Sequence, residues 1–475
     1  MYPHDEKQLE FFLPFGGKLD PNNRWVKLAE LIPWAEFEIN YSKSLKGSGD
    51  GPPAKSVRVA LGALIIKERL GTSDRETVEQ IKENPYLQYF LGFKEYSDKA
   101  PFHPTMFVNF RKRLSRDMIA EINDTIALRK KQVKKPPEDD DPDDDRPVQN
   151  KGKLLIDASC APADITFPTD LKLLNKAREK SEEIIDILHA PYVGIRKKPR
   201  TYRRKARKNF LAAAKSKRLL KNKKRKAIRR QLGYLARNLR IIKGLGNLSA
   251  LDKTQYKNLL VINEVYRQQQ WMYDHQENKI EDRIVSICQP HVRPIKRGKA
   301  GSSTEFGAKI SASLVDGFCF LDRLSWDNYN ESTDLTAQIH AYKRRFGFYP
   351  YSVHADKIYR NRRNIQFCKD RGIRLSGPAL GRPPKDLSKR LASRKQARQD
   401  EIDHIPIEGK FGQAKRRFSL SRIMCKLSRT SEAAIAIIFL VINLEKWLRA
   451  ILLNFFVCFW MLTTSKKQNS DWLFC

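Results

Sequence analysis

The sequence predicts an α/β catalytic core split by a long basic helical insertion and preceded by an all-α N-terminal domain. Three observations predict it. The apolar run Leu154–Ile156 leads straight into Asp157, and Tyr351-Ser-Val353-His-Ala355 leads into Asp356; open α/β sheets place their chemistry at the carboxyl ends of strands. Between these runs, Arg196 to Lys243 carries 22 Lys or Arg and no Asp or Glu in 48 residues. Ahead of both, residues 1–129 contain apolar runs with helical rather than alternating spacing.

The chain has 475 residues, a formal charge of +37 and a pI near 9.9. A hydrophobic content of 41% with 10% aromatic residues suits a folded protein with two or three domains. The charge calls for an acidic polymer as partner, nucleic acid or an anionic membrane surface. Seven scattered cysteines with no Cys-x-x-Cys pair argue against a zinc ribbon and for a reducing cytosol. The opening Met-Tyr-Pro-His-Asp-Glu has no basic run followed by an apolar one, so no signal peptide is expected. Two C-terminal apolar runs, Ala433–Leu444 and Ala450–Leu462, are interrupted by Glu445-Lys446. Each is shorter than the ~18 residues of a spanning helix, so two buried helices and no membrane segment are expected.

In the N-terminal domain, Val57–Leu70 is an apolar helix stopped by Gly71. Ser73-Asp-Arg-Glu76 reads as a capping box for the next helix, which ends at Asn84-Pro85. A third helix over Met106–Leu114 carries Arg111, Lys112 and Arg113, an arrangement like a helix-turn-helix reader. A solvated basic face on an ordinary bundle would look the same; with this composition DNA contact is the expectation. Residues 130–150 form a linker in which Glu138–Asp145 is acidic but for Pro142. It is too polar to bury anything.

Residues 151–169 hold the first core strand, and residues 170–290 the insertion. Ile228, Leu232, Leu235, Leu239 and Ile242 follow 4-3-4-3 spacing, a helical seam ending at Gly244-Leu-Gly246. A second helix over Thr254–Ile284 completes a hairpin. Arg203, Arg204, Lys223, Lys224 and Arg225 are candidate phosphate contacts, because a polybasic helix repels itself without counter-charge.

Residues 291–463 complete the core, and 464–475 form a tail. Asp316-Gly317 is a hairpin turn between strands over Phe306–Val315 and Phe318–Trp326. A helix over Ser332–Phe346, the Val353 strand, a helix over Asn361–Arg371 and a strand at Arg374–Ser376 follow. Strand, hairpin, helix, strand, helix, strand is the order of a ribonuclease H-like core. The last acid is Glu408, on a helix whose apolar stripe is Ile407, Phe411, Ala414 and Phe418; Asp403 is expected to cap that helix. Two turns beyond Glu408, Lys415 suits a phosphate.

Two strand aspartates and a helix glutamate suit Mg²⁺, which prefers hard oxygen ligands, with Mn²⁺ as a substitute. Two such ions about 4 Å apart stabilise both oxygens of an in-line phosphodiester displacement. Asp316 reads as a turn residue, and Asp322, Asp327 and Glu401 compete for the site; His354 and His404 are ligands or bases in one reading and supporting or surface residues in the commoner one. No Walker-type glycine loop is present, so an ATPase is unsupported.

Three stretches, Val353-His-Ala-Asp356-Lys-Ile-Tyr359-Arg, Gly372-Ile-Arg-Leu-Ser-Gly-Pro378 and Ile407-Glu408-Gly-Lys-Phe-Gly-Gln-Ala-Lys415, carry a family resemblance. With them the chain, from about residue 20 to 445, resembles bacterial insertion-sequence DDE transposases. It resembles the insertion-sequence family five in particular, with an InsH-like N-terminal domain over about residues 20 to 115. The wider group places its last acid in a Tyr-(2)-Arg-(3)-Glu-(6)-Lys pattern. Glu408 and Lys415 fit it, while His404 and Glu401 depart from it at the Arg and Tyr positions. The resemblance implies that Asp157, Asp356 and Glu408 hold Mg²⁺, that water cleaves at the element ends, and that the freed 3′-OH attacks target DNA. It also implies terminal inverted repeats and target DNA as partners, a homodimer or larger assembly on paired ends, and a cytoplasmic, nucleoid-associated bacterial protein. A non-transposing metal-dependent nuclease of the same core and an inactive or architectural DNA-binding protein remain the alternatives.

Overall fold

The structure, a computed structural model, describes residues 14–43, 45, 53–132, 149–216, 220–296, 304–378 and 386–468. The acidic run Glu138–Asp145 and the loop Gly381–Lys385 lie outside them. The first seven α-helices are α1 (Arg24–Leu31), α2 (Trp34–Lys43), α3 (Val57–Leu70), α4 (Asp74–Glu83), α5 (Pro85–Phe90), α6 (Met106–Arg113) and α7 (Arg116–Gln132). Helix α3 fills the predicted span, and Gly71 closes it with φ 70° and an N–H donated to Lys67 O. Ser73 caps α4 by accepting the Glu76 N–H, but the Glu76 carboxylate accepts from Gln80 Nε2 (2.9 Å) rather than closing a capping box.

Strand β1 (Lys153–Pro162) follows. It was expected to end on Asp157, but it continues for five residues. The reason is its partner: the later strand β3 (Thr304–Val315) pairs antiparallel with it from Leu155↔Leu314 to Pro162↔Gly307, so the ladder holds the chain extended. Four helices intervene between those strands: α8 (Asp170–His189), α9 (Arg203–Ala214), α10 (Lys221–Leu245) and α11 (Lys253–Asp274). The insertion is therefore larger than a hairpin, and α11 stops ten residues before the expected Ile284. Its core, including Leu174, Ile185, Leu235, Ile242, Ile262 and Val265, is separate from the others. The seam positions on α10 face that core.

Strands β2 (Arg293–Lys296) and β4 (Phe318–Ser325) lie in succession on the edge of β3 opposite β1, and Asp316 and Gly317, both at positive φ as a tight hairpin needs, join β3 to β4. Helix α12 (Leu335–Phe346), β5 (Ser352–His354), α13 (Arg362–Lys369) and β6 (Arg374–Leu375) complete a sheet of order β2-β3-β1-β5-β6, with β4 on β3. Helices α12 and α13 cover one face, packing on Ile156, Phe320 and Val353. The other face, through Leu155, Ile310 and Leu314, shares a core with α1–α7 and with the final helices α14 (Leu387–Arg417) and α15 (Ser428–Gln468).

Two expectations change here. Helix α14 begins at Asp386, whose carboxylate caps Ser388 and Lys389, so Asp403 lies inside it and pairs with Lys153 Nζ (2.6 Å) instead. The Lys-, Arg-, Ala- and Gln-rich stretch before Asp403 is helix-forming in its own right. The two C-terminal helices are one, because charged residues do not break a helix. Glu445 is buried between Arg69 (2.5 Å) and Arg417 (3.1 Å), an internal ion pair tying α15 to α3 and α14. Among the described residues no helix is long and apolar enough to cross a membrane.

Candidate active site

The parallel ladder between β1 and β5 ends at the pair Leu155↔His354. Asp157 and Asp356 each stand two residues beyond it, at the same level of neighbouring strands. Asp157 remains within β1, while Asp356 starts the short turn Lys357–Tyr359 and is exposed. Helix α14 crosses beside them. Its buried positions Asp400, His404, Ile407, Phe411 and Ala414 repeat at 4-3-4-3 spacing and face the sheet. His404 Nε2 lies 3.0 Å from the Ile156 carbonyl, fixing the helix next to Asp157. Glu408, one turn on, is set at the edge of that stripe with its side chain 63% exposed and 3.9 Å from His404 Nδ1.

Asp157, Asp356, Glu408 and Lys415 all line one cleft of about 880 Å³. The Asp157 carboxyl is raised to about 6, first by burial and further by the charges of Asp356 and Glu331, against the Ala158 N–H and His404, which lower it. Acids that repel one another in a half-buried cleft fit a hard divalent cation, which removes the repulsion. Among the described residues no three His, Cys, Asp or Glu side chains stand close enough to enclose an ion, so Glu408 would have to turn inward from its exposed position.

The cleft contains residues that the sequence did not single out. Glu331, in a short 3₁₀ turn after β4, lines it and is held by Lys309 Nζ (3.0 Å), itself donating to Tyr329 O (2.8 Å). No local pattern marks Glu331; only the folding of β4 back along β3 brings it near. His354 is no surface residue. It is fully buried behind Asp356, bonded through Nε2 to Ser352 Oγ (3.0 Å), and burial keeps its imidazole below the ordinary value. Asp322 is committed to Arg345 (3.0 Å), while Asp327 stands within 3.9 Å of Arg293.

The candidate DNA contacts divide. Arg111 is buried and bidentate with Asp74 (2.9 and 2.5 Å), which corrects its expected role: an internal ion pair takes up its guanidinium. Lys112 is exposed beside it and Arg113 half-buried. In the insertion Arg204, Lys223 and Lys224 are exposed, Arg203 pairs with Asp186 (2.6 Å), and Arg225 lies over the Tyr273 ring (4.3 Å).

Comparison with known proteins gives matches at two places. A family model described as a transposase DDE domain matches residues 353–445, which include Asp356 and Glu408. A second, described as a transposase domain (DUF772), matches residues 14–113, the span of α1–α6. The chain is also 29% identical over 159 residues to an uncharacterized protein, ORF8 in the nfe locus of Rhizobium meliloti, covering 34% of this chain and 71% of that protein. No solved structure matches.

Proposed function

Two transposase domains at separate places in the chain indicate an insertion-sequence transposase, and from that premise we propose that it cuts DNA at the ends of its own element and joins them to a target. The finer kinship, with insertion-sequence family five and an InsH-like N-terminal region, belongs to this proposal, as do paired ends held by two or more copies and association with the nucleoid.

The observation that carries the reading is the convergence of Asp157, Asp356 and Glu408 on one cleft from two adjacent strands and a crossing helix. Divalent cations held there, Mg²⁺ or Mn²⁺, would supply charge stabilisation for the attacking and leaving oxygens. Asp157 and Asp356 would hold them from adjacent strands, and Glu408 would complete the set by turning inward from α14. Lys415 holds a phosphate on the same side of the helix. A water oxygen attacks the phosphorus, the P–O3′ bond breaks, and the 3′ oxygen leaves as a hydroxyl. That 3′-OH then attacks a target phosphodiester, forming one P–O bond as another breaks. The exposed cations Lys112, Arg204, Lys223 and Lys224, together with Arg203 and Arg225 at the insertion surface, contact phosphates along the duplex.

The test is cleavage of a labelled duplex carrying the DNA that flanks the reading frame, with Mg²⁺ and with EDTA. Mg²⁺-dependent nicking at a repeat boundary is expected, as is joining to a second duplex. Asp157→Ala, Asp356→Ala and Glu408→Ala should each lower cleavage by about 10²–10³-fold, the scale on which losing charge stabilisation in a transition state acts, with DNA affinity nearly unchanged. Nicking without joining would leave a nuclease. Tight binding without any nick would leave an architectural protein.

A further inference from the structure

The exposed loop between α8 and α9 is built in a way that neither the active site nor the insertion core accounts for. Val193 and Ile195 are 73% and 83% exposed, the two highest values among the exposed large hydrophobic residues described. They are not on a loose tether. Ile195 N and Arg196 N both donate to Tyr192 O (3.1 and 2.9 Å), His189 Nε2 lies 3.0 Å from Arg196 O, and Gly194 between the two tips adopts φ 86°. At the loop's far end Thr201 is buried and Tyr202 holds φ 55°, a left-handed conformation that non-glycine residues rarely adopt and that tends to persist at functional sites. The Tyr202 ring lies under the Arg237 and Arg200 guanidiniums (4.6 and 5.4 Å), and Asp186 pairs with Lys198 and Arg203 (2.6 Å each). From Arg196 to Lys208 the chain has nine Lys or Arg and no acid.

A pair of apolar tips, separated only by glycine and backed by cations, is the chemistry of a minor-groove wedge. Apolar side chains enter between base steps, and cations on either side hold the phosphates. A protein-docking patch would present a wider apolar area with fewer cations. We propose that the loop Tyr192–Tyr202 is a duplex-deforming element: Val193 and Ile195 enter the minor groove while Arg196, Lys197 and Arg200 seat on the flanking phosphates. The inference rests on DNA being the partner and adds where and how the insertion grips it.

The experiment uses the full chain and a duplex of about 30 bp labelled at both ends, a length short enough for energy transfer to report bending. Wild type should shorten the end-to-end distance, and netropsin, a minor-groove ligand, should compete. Val193→Ser with Ile195→Ser should abolish most of the bend and weaken binding about tenfold, since two apolar side chains lose their burial, while leaving the salt dependence unchanged. Arg196→Ala, Lys197→Ala and Arg200→Ala together should do the opposite in salt, lowering the slope of log K against log salt by about 2–3. Both apolar residues are exposed, so the serine variants should keep the wild-type melting temperature. Bending equal to wild type in the serine variant would overturn the proposal. So would bending intact alongside lost self-association or lost binding to anionic vesicles, which would assign the tips to a protein or a membrane. No DNA binding by wild type would sink the transposase reading itself, a different result from binding without a bend.

Discussion

Asp400 shows how one buried carboxylate connects the sheet to the helix that brings Glu408. Arg374 Nη1 reaches both its oxygens (2.8 and 3.0 Å), and Gly377 N–H and Gln396 Nε2 add a bond each (3.1 Å). Burial alone would raise its pKa; these donors outweigh burial and hold it below the ordinary aspartate value. A lowered acid contributes stability that is present above its unfolded pKa and lost as pH falls through the folded one. Asp400→Asn should therefore cost about 1–3 kcal/mol at pH 7, with the gap to wild type closing below about pH 4; thermal melts across that range check it. Asp157 has the opposite balance, buried and near like charges. Metal-free Asp157→Asn should melt higher than wild type at pH 7, since removing a desolvated charge from a like-charged cleft is stabilising; a lower melting temperature in EDTA would contradict the electrostatic account. At this scale the sequence was readable where the signal is local, as at Ser73 and Asp316-Gly317. It was silent on Glu331, left His354 open between a ligand and a supporting or surface role, and expected Arg111 at DNA, because the partners that decide those residues lie far along the chain.

Elements were legible according to how much of their stability is local. Helix α3 could be read in full because its cap, apolar run and closing glycine are all within the segment. Helix α14 could not. Pro406 lies inside it and argues for a break near Asp403, since proline removes one hydrogen bond and crowds the preceding turn. Packing overrides that cost: Ile407, Phe411 and Ala414 are buried on the far side of the proline, and Asp400 and His404 on the near side, so both halves are held to the same sheet. Helix α15 was read as two for a related reason, since Glu445 looks like a solvent-exposed interruption until Arg69 and Arg417 are seen around it. Without Arg69, the buried Glu445 keeps only the partly exposed Arg417 as an ion-pair partner among the described residues. Arg69→Ala should thus destabilise the protein by about 1–3 kcal/mol, whereas the double variant Arg69→Met with Glu445→Leu should recover much of it; denaturant melts of the two would separate a stabilising role from one that only sets the helix in place.

At the scale of the whole molecule, the insertion is attached in a way that makes it separable. Its two ends meet one residue: Pro162, the last of β1, and Arg293, the first of β2, both pair with Gly307 of β3. They lie on opposite sides of that strand, about 10 Å apart by inter-strand spacing. Gly307 has no room for a side chain there, since an added Cβ would collide with the Ala161 carbonyl. The succession of β1, insertion, hairpin and β5 was legible because helices with their own seam, on α10, stand between β1 and the hairpin; β2 was not, being a four-residue strand seen only through its pairing with β3, nor was the number of helices, since α8 and α9 lack so regular a pattern. The insertion's core is its own, joined to the sheet by the small cluster of Ala163, Val285 and Val292. Replacing residues 166–288 with a short Gly/Ser linker should accordingly leave a folded core in which Asp157, Asp356 and Glu408 still share a cleft. That core should lose the 22 cations of Arg196 to Lys243 with no acids removed from that stretch, so the slope of log K against log salt for duplex binding should fall by several units. Short-duplex nicking with Mg²⁺ should survive at high protein concentration. A shortened chain that binds with an unchanged salt slope would move the main DNA contact to the N-terminal helices and Lys112.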